Sequence, residues 1–483
     1  MAVLKDILFG VKLTALKGDR ERTISGISFD SRKVQPGHLF VAIKGLSSDG
    51  HAFIQQAVAS GAVAILCETL PEKLADEVVY IQAENSAQAL GICASNFYGR
   101  PSEKLQLVGV TGTNGKTTVT TLSFNLFRAL GYNVGLLSTV ENRLNERVMP
   151  SQYTTGDALQ INELLAQMVA EGCTHCFMEV SSHALVQHRT AGLLFAGGVF
   201  TNITHDHLDY HQTFDAYISA KKLLFDGLPA AAFALVNADD KRGAIMLQNT
   251  KATKQRFALK SMADFKARIL HSSLQGMELD INGTSAWFKL VGTFNAYNLL
   301  TVYAIATLLE EDSRQVLEVL SATDGARGRF EQVKNAQGIT AIVDYAHTPD
   351  ALENVLKTIS DLRTRNEQLV TVIGCGGNRD KAKRPAMAKI AAEFSNKVIL
   401  TSDNPRDEEP SEILKEMKAG IPKSLEKNTM VIEDRREAIR VACNLLTAKD
   451  ILLVAGKGHE TYQEIKGVRH HFDDKEILTE MLN

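Results

Sequence analysis

One stretch limits the folds open to this chain more than any other: Gln106–Thr118, QLVGVTGTNGKTT, followed by VTTLSFNLFRALG. An apolar, strand-like run gives way to a glycine-containing loop and then, at Lys-Thr-Thr, to apolar residues at helical spacing. Strand, glycine loop and helix in that order build a phosphate loop, because loop amides and the first helical turn converge on an anion. Packing alone gives no reason for Gly-Lys-Thr-Thr at a helix start. Lys116 is placed to reach the β- and γ-oxygens of a triphosphate, and the Thr117 hydroxyl suits Mg2+. The general pattern opens with glycine where this chain has Val110, so the match is to a narrower form, T-G-T-N-G-K-T. Gly112, Thr113, Asn114, Gly115, Lys116, Thr117 and Thr118 are therefore the expected ATP-binding residues.

At 483 residues the chain is long enough for about three domains. Lys and Arg number 53 against 56 Asp and Glu, a formal charge of −3, so no global basic field gathers nucleic acid or an anionic membrane. Six cysteines without a regular framework suit a reducing compartment, and cytoplasm is the expectation. Cys173 and Cys176 flank His175 without a second pair at zinc-ribbon spacing. Lys5 and Asp6 interrupt the N-terminal apolar stretch, which does not read as a signal peptide. Leu290–Leu309 is uncharged and long enough to span a bilayer, but Gly292, Asn295, Asn298 and several Thr favour a buried helix of a globular domain.

Short apolar runs and helical segments alternate along the whole length, which predicts an α/β protein. Three domains are expected: residues 1–100, a small N-terminal α/β domain; 101–331, a central P-loop domain on a mostly parallel sheet; and 332–483, a Rossmann-like C-terminal domain. Strands are expected at CTHCFMEV, GGVFTNI, FALVNA, SAWFKLV, ITAIVDYA, QLVTVIGC, KVILTSD, TMVIED and DILLVAG.

Glu179 ends one expected strand, with Ser181, Ser182 and His183 just beyond it, and Asn202–Asp209 (NITHDHLD) follows another. Strand ends in an open parallel sheet face the ligand crevice, where a carboxylate and imidazoles can complete a Mg2+ shell. A lone histidine is more often packed in a core, but His183, His205, His207 and His211 come as a group.

Taken in order, TGTNGKTT, MEVSSHALVQHR, TNITHDHLDYH, AKKLLF, GTFNAYN, GRFE, DYAHTPDAL, GCGGNRDKAKRP, DNPR and AGKGHE resemble the Mur ligase family across nearly the whole chain. The resemblance implies ATP-driven amide formation through an acyl phosphate, in peptidoglycan precursor synthesis. The implied substrates are ATP, UDP-N-acetylmuramoyl-L-alanyl-D-glutamate and meso-diaminopimelate, with L-lysine as the alternative amine. A monomer is implied, acting on small molecules without a nucleic-acid or membrane partner. Folylpolyglutamate synthetase shares the loop but would not need the N-terminal domain; a nucleotide switch would need a macromolecular partner.

Residue by residue, the resemblance implies that Lys116, Glu179, His207 and Lys221 are catalytic. Thr117, Glu179, His207 and Lys221 are implied Mg2+ ligands, Lys221 as its N6-carboxylated form, since a plain ammonium repels a cation. On spacing alone, Lys221 or Lys222 is an ordinary helix lysine. Asn295 and Asn298 match adenine-side asparagines, for which helix capping is the local alternative, and Arg329 and Asp344 match phosphate and ribose contacts. Ser31, with Asp30, Arg32 and the loop Gly45–Gly50, matches the uridine end. Thr154, Thr155, Ser181, Gln187 and Arg189 match the muramoyl-dipeptide grip; the chain has Thr-Thr-Gly where some relatives have Thr-Thr-Pro. Arg379, Asp403, Asn404, Pro405, Arg406, Gly456 and Glu460 match the amino-acid pocket. A guanidinium binds carboxylate bidentately, so Arg406 suits the distal carboxylate that diaminopimelate has and lysine lacks.

Overall fold

A computed structural model describes residues 1–45, 48–151, 153–364 and 366–482. It is a mixed α/β structure whose sheets are mostly parallel. The chain separates into two compact units with interleaved segments: residues 1–112, 123–200 and 215–256 form one, and residues 113–122, 201–214 and 257–483 form the other.

Besides the short antiparallel pair Ala2–Val3 and Thr23–Ile24, the first unit holds two larger sheets among its described residues. One has five strands in the order Leu13–Lys17, Val79–Ala83, Ala64–Cys67, His38–Val41 and Gly26–Ser28, parallel except for the first. In the other, Val134–Leu137, His175–Glu179, Gln106–Thr111, Gly197–Phe200 and Phe233–Asn237 run parallel. The antiparallel strands Glu141–Leu144 and Arg147–Pro150 extend its edge. The run from His175 to Glu179 is buried throughout, as a strand covered on both faces must be. His175 packs between the rings of Phe127 and Tyr132, each centroid 4.7 Å away, so the Cys-x-His-Cys segment has a packing account.

In the second unit Phe257 and Ala258 pair with the start of Phe265–Ser273, which continues as an antiparallel meander through Gly276–Ile281 and Thr284–Phe288. A six-stranded sheet follows: Glu331–Lys334, Thr340–Asp344, Ile451–Ala455, Leu369–Ile373, Lys397–Leu400 and Thr429–Val431, parallel except at the first pair. Alternation along these strands sends Ile342, Leu369, Ile373, Leu400 and Leu453 to one buried face. Ala341, Val343, Val370, Val372, Ile399, Leu452 and Val454 go to the other, where Ala438, Ile439, Ile477 and Leu478 cover them. The uncharged run folds as the helix Thr293–Leu308, largely buried. Among the described residues no helix is long and apolar enough to cross a membrane.

A fully buried ion pair braces the six-stranded sheet. Arg435 meets Asp474 through two bonds of 2.7 and 2.8 Å, and its remaining N–H groups donate to the carbonyls of Ser402 and Ala455. Those carbonyls stand immediately before Asp403 and Gly456, so the guanidinium ties together the two loops that carry the expected amino-acid pocket. Asp474→Ala leaves this cation without its counter-charge and is expected to cost about 3–5 kcal/mol. Urea unfolding followed by tryptophan-independent circular dichroism checks it; a loss below about 1 kcal/mol is what a dispensable surface pair gives.

Candidate active site

In the second unit the phosphate loop is locked before any ligand arrives. Thr113 donates its amide to Asn202 O and Asn114 donates its own to Asn202 Oδ1, both at 2.9 Å. The Thr201 hydroxyl and Asn202 Nδ2 both donate to Asn114 O. Gly115 has φ +90°, and a Cβ there would lie 2.7 Å from Asn298 Oδ1, so the glycine serves both backbone and close approach. Lys116 opens the helix Lys116–Ala129, its ammonium turned back onto Thr113 O at 3.0 Å. Thr117 and Thr118 are buried in the first turn.

Asn295 and Asn298 are not helix caps. The cap of Thr293–Leu308 is Gly292, with no side-chain bond. Asn295 Nδ2 donates to Val291 O, its Oδ1 accepts from Asn298 Nδ2, and Asn298 Oδ1 lies beside Gly115. Both amides are buried, so they form a fixed polar wall next to the loop. Arg329 donates to Thr117 Oγ1 at 3.2 Å and stacks over Tyr345, while its Nε is buried without a hydrogen-bond partner. Buried guanidinium nitrogens are rarely left unpaired, and a phosphate oxygen is the acceptor this one suits. Asp344 ends the strand Thr340–Asp344, its carboxylate accepting the amides of Phe330 and Ala346; burial raises its pKa.

Two further residues that the sequence did not single out act here, Asp350 on the phosphate loop and Lys383 on the segment after Gly197–Phe200. Asp350, at the start of the helix Pro349–Leu362, accepts from Asn114 Nδ2 at 3.0 Å and from the Thr204 hydroxyl at 3.1 Å. Lys383 pairs with Asp206 at 2.7 Å. Burial pushes the Asp206 carboxyl up, but His207 and Lys383 outweigh it and hold the group well below the ordinary range. His207 is half-exposed, with φ +54° and Nε2 3.5 Å from Asp206.

The first unit carries Glu179 and Lys221. Glu179 ends its strand as the sequence indicated, its two oxygens accepting the amide and hydroxyl of Thr139 at 2.8 and 3.1 Å. Lys221 is buried in Phe214–Asp226, with Nζ 2.8 Å from Gly112 O and over the Tyr217 ring. Lys222 instead pairs with Asp226 one turn on. Thr155, buried beside the half-buried Thr154, links several expected residues: its hydroxyl donates to Glu179 O and accepts from Ser181 N, and its carbonyl accepts from Arg189. Arg189 also grips Gln187 Oε1 with two N–H groups, and Ser181 caps the next helix at Ala184 N. Ser31, in a short turn capped by Asp30, donates to Gln56 Oε1 at 3.1 Å. Leu46 and Ser47 of the Gly45–Gly50 loop lie outside the described residues.

The donor chemistry fits a hard divalent cation only in part. A carboxylate, an imidazole and a hydroxyl are oxygen- and nitrogen-donors of the right kind, whereas the Lys221 ammonium is a donor of protons and holds no cation unless carboxylated. Among the described residues no group of three or more His, Cys, Asp and Glu is arranged around a metal position.

The amino-acid residues cluster in the second unit at the ends of the parallel strands. Asp403, Asn404 and Pro405 are buried, Arg406 is half-buried and Arg379 exposed. Arg406 donates to Gly377 O at 2.7 Å. Its backbone, at φ +51°, is fixed by bonds to Glu464 O and from Lys466 N, on the hairpin Tyr462–Ile465/Val468–His471. Gly456 has φ +114°, and a Cβ there would lie 2.6 Å from Asp403 Oδ2. Asn404 Nδ2 donates to Glu460 Oε2 at 2.8 Å.

Three family descriptions match successive parts of the chain: the Mur ligase family catalytic domain over residues 23–98, the Mur ligase middle domain over 110–306, and the Mur ligase glutamate ligase domain over 328–458. A UDP-N-acetylmuramoyl-L-alanyl-D-glutamate–2,6-diaminopimelate ligase of Cytophaga hutchinsonii is 58% identical over 481 residues, covering 99% of both chains. A Clostridium acetobutylicum protein of the same description is 39% identical, again with 99% of both covered. A solved structure described as such a ligase superposes with a TM-score of 0.71 at 33% identity, covering 100% of this chain and 98% of the other. MurF from Acinetobacter baumannii, at 16% identity and a TM-score of 0.64, covers 99% of this chain and 97% of its own, and shares the fold. Phosphate loop, strand-end carboxylate and C-terminal arginine pocket thus occur together in a chain that belongs to the Mur ligase family.

Proposed function

We propose that this chain is an ATP-dependent ligase that joins meso-diaminopimelate to the D-glutamate carboxylate of UDP-N-acetylmuramoyl-L-alanyl-D-glutamate, in peptidoglycan precursor synthesis. Residues 1–100 take the uridine end, 101–331 the nucleotide, and 332–483 the amino acid. The observation that carries the choice of amine is Arg406, held by Gly377 O with its remaining N–H groups available to a second carboxylate.

The reaction follows from what these residues supply. The glutamate carboxylate oxygen attacks the γ-phosphorus and ADP leaves, giving an acyl phosphate; Lys116 and the loop amides bind the charge on the transferring group. The amine then attacks the acyl carbon, loses a proton, and the tetrahedral intermediate collapses with phosphate as the leaving group. Thr117 and His207 would hold Mg2+, which would supply charge neutralisation on the phosphates; Glu179 and carboxylated Lys221 are the further ligands that the family resemblance implies. Thr139 keeps Glu179 oriented, and Arg329 clamps a phosphate oxygen through its unpaired Nε.

Phosphate release by the purified chain with ATP, Mg2+ and the UDP-linked dipeptide tests the reading. Turnover is expected with meso-diaminopimelate and at most marginal with L-lysine. Equal use of lysine would remove the Arg406 argument; no turnover with either amine would remove the substrate assignment.

A further inference from the structure

Lys457 lies under the amino-acid pocket, yet neither the motif reading nor the reaction gives it a task. Its side chain is fully buried. The ammonium donates to Glu460 Oε2 at 3.1 Å and to Asn404 Oδ1 at 3.2 Å, and lies over the Tyr462 ring. Asn404 closes the triangle with its own bond to Glu460 Oε2, and Asn404 Oδ1 also accepts the amide of Glu464. Glu460, by contrast, keeps 14% of its side chain exposed, so a solute reaches Glu460 and not Lys457. A buried ammonium is expensive unless something uses its charge.

We propose that Lys457 is a positioning residue that holds the Glu460 carboxylate in place and in its charged form, ready for an ammonium group of the incoming amino acid. The inference rests on the assignment of Glu460 to the amine substrate made above. The groups around Glu460 explain the need. Burial, then the Asp403 carboxylate, push the Glu460 carboxyl towards protonation, while Lys457 and Asn404 oppose it. Arg435 from the helix Arg435–Asn444 adds positive charge behind them, and the phenols of Tyr345 and Tyr462 complete the surroundings. A protonated Glu460 offers no charge to an ammonium, so without Lys457 the pocket would fill less well as pH falls. The second oxygen, Oε1, is the one left for substrate, because Lys457 and Asn404 both occupy Oε2.

Glu460 must be ionised to bind the ammonium, so KM for diaminopimelate rises as pH falls through its pKa. Lys457→Met keeps the volume and removes the charge, and is expected to move that acid limb to higher pH by about one unit or more, raising KM about fivefold or more at the old midpoint. The effect on kcat with saturating amine is expected to be small. In a Glu460→Gln background, Lys457→Met is expected to shift nothing further. Wild-type turnover with diaminopimelate, measured alongside, tests the substrate reading by itself. An unchanged acid limb in a folded Lys457→Met, with wild type active, overturns the role of Lys457 alone. Should that variant fail to fold, 13C NMR of glutamate-labelled wild type, with Glu460→Gln to assign the signal, decides: a Glu460 carboxylate ionised at pH 7 is expected, and a protonated one overturns the proposal.

Discussion

Turnover by the wild-type chain is expected to fall when dissolved CO2 is stripped from the buffer and to return with bicarbonate, while Lys221→Ala is inactive in both conditions, with kcat lower by about 10²–10³. The ground for this is the placement of Lys221. Its side chain is 1% exposed, and its ammonium meets Gly112 O and the face of Tyr217. Carboxylation of the ammonium by CO2 releases two protons and leaves one N–H on the nitrogen, enough to preserve the bond to Gly112 O at the start of the phosphate loop. The two new oxygens carry negative charge into a buried place beside the Tyr217 π-face, an arrangement that is unfavourable until a cation neutralises it. The carbamate is therefore expected to be populated with the divalent cation bound and depleted without it. 13C-bicarbonate NMR reads this independently of activity: a carbamate resonance that appears with Mg2+, is lost on chelation and is missing from Lys221→Ala. Lys222→Ala is the control, because Lys222 pairs with Asp226 on the same helix and is expected to be nearly neutral. Full activity of Lys221→Ala in bicarbonate-free buffer would remove the carbamate from the reaction.

The neighbouring lysines show how far the sequence reached. A-K-K-L-L-F presents two candidates, and only the fold separates them, one buried on a carbonyl and the other in a surface pair. Features written in contiguous residues were legible: the phosphate loop, the parallel strands with both faces apolar, Glu179 at a strand end, and the Asp403–Arg406 turn. Groups whose partners are far along the chain were not. Asn114 and Asp350 meet across 236 residues, Lys383 and Asp206 across 177, and Arg329 and Thr117 across 212. Asp350 reads in sequence as a first-turn helix acid, which it also is, so nothing local distinguishes its second role. The antiparallel meander from Phe265 to Phe288 was also illegible beyond its last strand. Its exposed Ile269, Leu270 and Trp287 blur the apolar-polar alternation that marks a half-buried strand. The asparagines Asn295 and Asn298 show the opposite case: local chemistry offered capping, whereas Asn295 bonds Val291 O and Asn298, and Asn298 Oδ1 lies beside Gly115.

Arg406→Ala is expected to lower kcat/KM for meso-diaminopimelate by roughly 30- to 4,000-fold, the range for losing one side of a desolvated charge pair worth about 2–5 kcal/mol. Turnover with L-lysine, already poor, is expected to change little. The reason lies in how the side chain is held. Gly377 O takes one N–H, at 2.7 Å, and the backbone of Arg406 is fixed in the left-handed region by two bonds to the hairpin. The guanidinium is thus aimed before substrate arrives, and little rotamer entropy remains to be lost when a carboxylate binds. Lysine brings no carboxylate to that end and would leave the remaining N–H groups partly desolvated and unmet, so the wild-type pocket is expected to discriminate against it. Removing the guanidinium removes both the attraction to one amine and the penalty against the other, and selectivity collapses chiefly through loss of diaminopimelate. Arg406→Lys keeps the charge but not the fork, and is expected to recover only part of the lost kcat/KM. Competition between the two amines in one reaction, with products separated by mass, reads the selectivity ratio directly; a ratio unchanged in Arg406→Ala would place the distal carboxylate elsewhere, with the exposed Arg379 beside Gly376 as the nearest remaining guanidinium.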